Sequence, residues 1–158
     1  MRIALLTLCF IVSVTATARA RLGENADQLV ARYGQPLSEK DQKGEGDKIP
    51  LVDATFQKGG FEVNVTLSDG ISVAESFRKI NGGALTIGEV RTLISLNSQG
   101  HEWAAPQMVE GEKSWTRDDN TLAQLSPDGS RLSITSRELM HKEQEAKKIE
   151  ARPTLEGF

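Results

Sequence analysis

The chain has two histidines and one cysteine, so any metal or nucleophile chemistry must be built from a short list. His101-Glu102 lies between Gly100 and Pro106. A zinc-protease helix needs two histidines four residues apart with a glutamate between them, and the second histidine is missing. His101 therefore reads as a loop residue. His141 has Glu138 and Glu145 on one helical face, an arrangement that could hold a metal weakly, but solvation of a charged helix accounts for it equally well. Asp118-Asp119-Asn120 has the composition of a tight turn, in which adjacent carboxylates point different ways. No serine stands in a G-x-S-x-G context, Ser126 precedes Pro127 in a turn, and no glycine loop is arranged to cradle phosphate. Nucleophile, base and orienting group do not assemble. No catalytic residue, metal or cofactor is expected.

The tryptophans bear on binding instead. Trp115 falls in an alternating segment and reads as core. Trp103 sits in a polar loop beside Ala104 and Ala105, where no periodicity requires it. Either it covers a sheet edge or helix end, or it is an exposed anchor for another protein, a role suited to tryptophan. Trp103 and His101 are the candidate binding residues.

Met1-Arg2 makes a short cationic start, Ile3 to Ala16 is almost unbroken apolar sequence, and Ala18 and Ala20 supply the small residues of a cleavage site. That layout predicts a secretory signal peptide over residues 1–20, cut after Ala20 or after Ala18. The apolar run is short for a membrane span, which needs about 20 residues. Cys9 lies inside the leader behind Leu8, which is not the small residue that lipidation requires. The mature chain then has no thiol, no stable membrane insertion, and a periplasmic or extracellular address. The whole chain carries 19 Lys+Arg against 22 Asp+Glu, a net charge of −3, and loss of Arg2 and Arg19 makes it more acidic. No nucleic-acid partner is expected from such a balance.

The elements that must position these residues show local periodicity. Leu22, Ala26, Leu29, Val30 and Tyr33 mark one helix face, closed by Gly34 and Pro36. Ser38 to Lys48 is charged, contains Gly44 and Gly46, and reads as a loop. Three strands follow. Val52, Ala54 and Phe56 share a face, then Phe61, Val63, Val65 and Leu67. Ser68-Asp69-Gly70 reads as a three-residue hairpin loop that pairs Leu67 with Ile71, Val65 with Val73 and Phe61 with Phe77. In that register Glu75, opposite Val63, is the one residue discordant with an apolar face.

The order then returns. Thr86 and Glu89 form a capping box ahead of Val90, Leu93 and Ile94, which stand 64 residues after Ala26, Leu29 and Val30. A loop over residues 97–112 precedes strands at 113–117, 121–125 and 131–137. Phe56 aligns with Trp115 and Asp69-Gly70 with Asp128-Gly129, at an offset of 59. The expected fold is α+β, as two tandem helix–three-stranded antiparallel meander units over 21–80 and 81–137, joined by duplication. A charged helical tail over 138–158 follows, with Glu138/Lys142 and Glu143/Lys147 at i,i+4 spacing.

Arg21-Leu22-Gly23-Glu24, Ala31-Arg32-Tyr33-Gly34-Gln35-Pro36, Trp115-Thr116-Arg117-Asp118 and the closing Leu155-Glu156-Gly157-Phe158 resemble a family of small exported proteins of Verrucomicrobia-type bacteria. Leu85-Thr86, Glu89, Asn97 and Trp103 fit the same pattern. The resemblance covers most of the mature chain and implies export, but no activity, cofactor or partner. More remotely, a helix followed by Tyr-Gly-x-Pro and a meander is similar to BamE/SmpA-like and β-lactamase-inhibitor-like repeats. Those work by binding other proteins through sheet and loop surfaces.

The functional expectation is a non-catalytic protein-binding module of the cell envelope, with an envelope protein as partner. A small-ligand or envelope-polymer binder using Trp103 and the loops at 38–48 and 97–112 is the alternative. An enzyme of unknown type ranks third. The sequence leaves oligomeric state open.

Overall fold

The computed structural model describes residues 21–42 and 51–150. The leader expected over 1–20, residues 43–50 of the first loop, and residues 151–158 of the tail lie outside the described residues.

Helix α1 (Ala26–Tyr33) begins where Asn25 and Gln28 exchange side chain-to-backbone hydrogen bonds, both 3.0 Å, satisfying two N–H groups that the helix itself cannot. Its buried residues are Leu29 and Tyr33. Strands β1 (Ser38–Gln42), β2 (Leu51–Lys58), β3 (Phe61–Ser68) and β4 (Ile71–Lys79) follow, then helix α2 (Ile87–Leu96). The Thr86/Glu89 capping box opens α2, which buries Val90, Leu93 and Ile94. Strands β5 (Gln107–Val109), β6 (Glu112–Thr116), β7 (Leu122–Leu125) and β8 (Arg131–Thr135) complete the sheet, and helix α3 (Arg137–Glu150) leaves from the end of β8. Ser136 N–H bonds the Val73 carbonyl at 2.9 Å and Lys142 Nζ reaches Ser68 Oγ at 3.2 Å, so α3 docks at the β3–β4 turn end.

The expected pair of tandem three-stranded units is overturned. The protein is mostly β, with one continuous eight-stranded antiparallel sheet of order β1-β2-β3-β4-β8-β7-β6-β5. Each half supplies four strands. The fourth is an outer strand, β1 in the stretch read as the 38–48 loop and β5 in the 97–112 loop. Neither alternates in hydropathy, because an edge strand is held by its backbone ladder and tolerates charge. The two halves are joined by the β4–β8 ladder, a pairing over a long sequence separation that local periodicity does not encode.

The β3–β4 register also differs from the expected one. Asp69 (φ 52°) and Gly70 (φ 77°) both adopt the left-handed conformation that a two-residue type I′ hairpin requires. Ser68 therefore faces Ile71, Val63 faces Phe77, and Val65 faces Glu75. A shift between Thr66 and Leu67 accommodates Val73 as the extra residue of a bulge. Glu75 is thereby carried into the core.

The ladder at the seam is symmetric. Ala74 pairs with Thr135, Glu75 with Ile134 and Ser76 with Ser133. Adding 59 to the β4 numbers carries Ala74–Thr135 onto Ser133–Ser76 and leaves Glu75–Ile134 on itself. A local pseudo-two-fold thus passes through Glu75 and Ile134.

One face of the sheet carries the core, including Phe56, Val63, Val65, Phe77, Ala123, Leu132 and Ile134, together with residues of α1 and α2. The other face is polar. On it, one neutral hydrogen-bonding side chain from each strand lines up across the whole sheet: Ser38 beside Thr55, then Asn64, Ser76, Ser133, Gln124, Ser114 and Gln107.

Candidate functional site

Three places in the structure bring polar or binding groups together. The first is the core at the pseudo-two-fold. Glu75 is 1% exposed. Its Oε2 accepts from the Tyr33 hydroxyl at 3.3 Å, and its Oε1 has no hydrogen-bond donor among the described residues. Burial pushes the carboxyl up to about 7, against the pull of Arg32, Tyr33 and Asn97 toward the charged form. Tyr33 is raised well above its ordinary value, first by burial and then by the Glu75 charge. Asn97 ends α2, is fully buried, and donates Nδ2–H to the Leu93 carbonyl at 3.2 Å. At the 64-residue offset Asn97 is the counterpart of Tyr33. The ends of both helices thus converge on one buried carboxyl.

The second place contains both residues singled out from sequence. Trp103 pairs with Arg117 through an isolated bridge, is half-buried against the core, and lies under the Arg117 guanidinium at 5.6 Å. Its indole N–H is buried with no acceptor among the described residues. Trp103 therefore packs at the end of α2, beside the residues that hold Asn97. His101 has 43% of its side chain exposed and lies 2.5 Å from Asp118 Oδ1 and 4.0 Å from Asp119 Oδ2. The structure does bring His101 and Trp103 into one cluster, and Arg117 is its organiser. Arg117 donates to the Asn97 carbonyl (2.5 Å), to both oxygens of Asp119 (2.9 and 2.6 Å) and to Thr121 Oγ1 (2.9 Å). The Arg117 hydrogen bonds hold the Asp119 carboxyl well below the usual carboxylate range, and the hydrogen bond from the Glu102 N–H lowers that of Asp118. A histidine–carboxylate pair becomes catalytic only beside a nucleophile and donors for the developing charge. Here the neighbouring carboxylate is committed to Arg117 and Thr121, so the cluster fastens the 97–103 loop to the β6–β7 turn.

His141 faces Glu145 at 3.6 Å on α3, while Glu138 pairs with Lys142 at 2.7 Å. Of the two carboxylates expected beside His141, Glu145 faces it and Glu138 is drawn to Lys142.

The third place is the polar sheet face, a shallow depression of about 500 Å³ over β1–β4 and β8. Its side chains hold one another in place. Thr55 Oγ1 donates to Asn64 Oδ1 at 2.8 Å, Thr66 Oγ1 to Asp53 Oδ1 at 2.8 Å, and Glu62 accepts from Asn64 Nδ2 at 3.2 Å and Arg78 Nε at 2.8 Å.

Sequence reasoning missed Arg32, Tyr33, Asn97 and Arg117 as members of polar clusters. Only Glu75 signalled itself, as a charged residue at an inward position.

Among the described residues no helix is long and apolar enough to cross a membrane. No protein-family model matches the chain, and no curated protein matches it. A crystal structure of a cysteine-rich secretory protein from Staphylococcus aureus subsp. aureus Mu50 is similar at a TM-score of 0.42 and 11% identity, over 75% of this chain and 46% of that one. The chain thus spans less than half the length of that structure. A likeness of this extent supports neither a shared fold nor a shared function.

Proposed function

We propose that the protein is an exported, non-catalytic protein-binding module of the cell envelope, which engages a folded partner through the polar face of its sheet. The observation that supports this most is the row of neutral hydrogen-bonding side chains, one per strand, on the face opposite the core, of which seven reach the surface and Ser114 is buried. A rigid sheet presents such groups at fixed spacing, so a partner with matching donors and acceptors meets them at little entropic cost. Charged residues flank the row, with Lys40 and Asp53 on one side and Glu62, Arg78 and Arg131 on the other, which sets the orientation of a partner. The leader supports export.

Crosslinking in envelope extracts tests the reading when three forms are compared. Wild type and a Lys58→Glu control on the core side are expected to recover the same protein. The double variant Asn64→Lys/Ser133→Lys, on the polar face, is expected to lose it. Equal recovery by the face variant, or no partner above a scrambled-surface control, would sink the proposal. N-terminal sequencing of the exported protein is expected to begin at Arg21 or Arg19; a chain retained inside the cell with Met1 intact would remove the envelope address.

A further inference from the structure

The two halves differ at one corner of the core side, and the difference leaves a cleft. Lys58 is the last residue of β2 and pairs with Phe61 across the turn. Arg117 holds the equivalent place after β6, its N–H bonded to the Thr121 carbonyl at 2.8 Å. In the second half that corner is filled: Arg117 is neutralised by Asp119 and bonded to Thr121. In the first half the turn is Gly59-Gly60, with no carboxylate, and Phe61 replaces Thr121. Lys58 has no ion-pair partner among the described residues.

The resulting cleft, about 440 Å³, runs between the α2 face that carries Glu89, Leu93 and Leu96 and a floor of Phe61, Val63 and Phe77. That volume falls in the range of about 300–1,000 Å³ typical of small-molecule sites. Arg32 lines it from the end of α1. Its side chain is only 9% exposed, Nη2 pairs with Glu24, and Nε and Nη1 meet no hydrogen-bond acceptor among the described residues. Glu24 pairs with its charge and Glu75 lies within its electrostatic reach, and Nε and Nη1 are closed off from the cleft. The carboxylate at the rim, Glu89, is committed to Lys79 at 2.9 Å and to the Thr86 N–H at 2.6 Å. The cleft therefore combines an apolar body with one rim cation, Lys58, that meets no carboxylate among the described residues.

We propose that this cleft binds a small amphipathic carboxylate. Its apolar body lies on Phe61, Val63 and Phe77, and its anionic head pairs with Lys58, taking the place that Asp119 holds in the other half. The inference is independent of the polar-face reading, since cleft and row lie on opposite faces.

Decanoate, with its neutral methyl ester as comparison, serves as probe in an amide NMR titration of the full chain. Saturable shifts at Phe61, Leu93 and Leu96 are expected with decanoate. Lys58→Glu is expected to weaken decanoate by about tenfold or more, the value of one charge-assisted hydrogen bond, and to leave the ester nearly unaffected. Thr92→Trp, which fills the cleft from an exposed position of α2, is expected to abolish both while circular dichroism and Tm stay unchanged. Absence of saturable shifts at those residues, or an unchanged decanoate affinity in Lys58→Glu, would overturn the proposal. So would a cleft signal that follows protein concentration and not decanoate, which would assign the cleft to a second copy of the chain.

Discussion

Glu75 shows what a single side chain can impose. Its carboxyl ionises near 7 in the folded protein and near 4.5 when free, so between those values the folded state binds more protons than the unfolded state. Stability is therefore fully supported by the neutral carboxyl below about pH 4.5 and falls as the pH rises through about 7. The shift corresponds to roughly 3 kcal/mol over the whole window. Urea unfolding of the wild type from pH 4.5 to pH 8 is expected to show this decline. Glu75→Gln, which keeps the shape and cannot ionise, is expected to be nearly flat over the same window and more stable than wild type at pH 8. A wild-type profile that rises toward pH 8 would contradict this account of the core. Glu75 stood out in the sequence because it interrupted an apolar alternation. Its partners Tyr33 and Asn97 did not stand out, because nothing local distinguishes a helix-end tyrosine or asparagine that points inward from one that points out.

At the scale of elements, the signals that were legible are those made within a few residues. Thr86 accepts from the Glu89 N–H at 3.2 Å while the Glu89 carboxylate accepts from the Thr86 N–H at 2.6 Å, and the Thr86 hydrogen bond holds the Glu89 carboxyl down at about 2. Thr86→Ala is expected to cost about 1 kcal/mol in chemical denaturation, the usual worth of such a cap. A Thr86→Ser variant is expected to recover most of it. No loss in the alanine variant would mean that α2 is held by packing alone. The outer strands were illegible for the opposite reason. Ser38-Glu39-Lys40-Asp41-Gln42 has the composition of a loop, and only the ladder to Leu51–Thr55 makes it a strand. The two edges differ as well. β1 is protected by charge, whereas β5 presents Met108, 69% exposed, and Val109 beside unpaired backbone. The β3–β4 hairpin was legible as a turn, but its length was not, because Asp69 tolerates the left-handed conformation as glycine does.

At the scale of the molecule, the halves share one sheet and one core cluster, which includes Phe77 of β4 and Leu132 and Ile134 of β8. A fragment ending at residue 80 would expose β4 as an unpaired edge and lose the α2 residues that pack with it. Residues 21–80 and 81–137 are therefore expected not to fold separately, and the whole chain is expected to unfold in one transition by near-UV and far-UV circular dichroism alike. Two resolved transitions, or a folded fragment by NMR, would show the halves to be independent. The helix caps, the turn sites and the inward apolar faces were written in the sequence, because each depends on backbone geometry within one turn or one hairpin. The joining of β4 to β8, the placing of Glu75 on the pseudo-two-fold, and the contrast between the filled Arg117 corner and the open Lys58 corner were decided only in three dimensions. Each depends on residues dozens of positions apart, whose meeting is set by the register of a sheet and not by any local pattern.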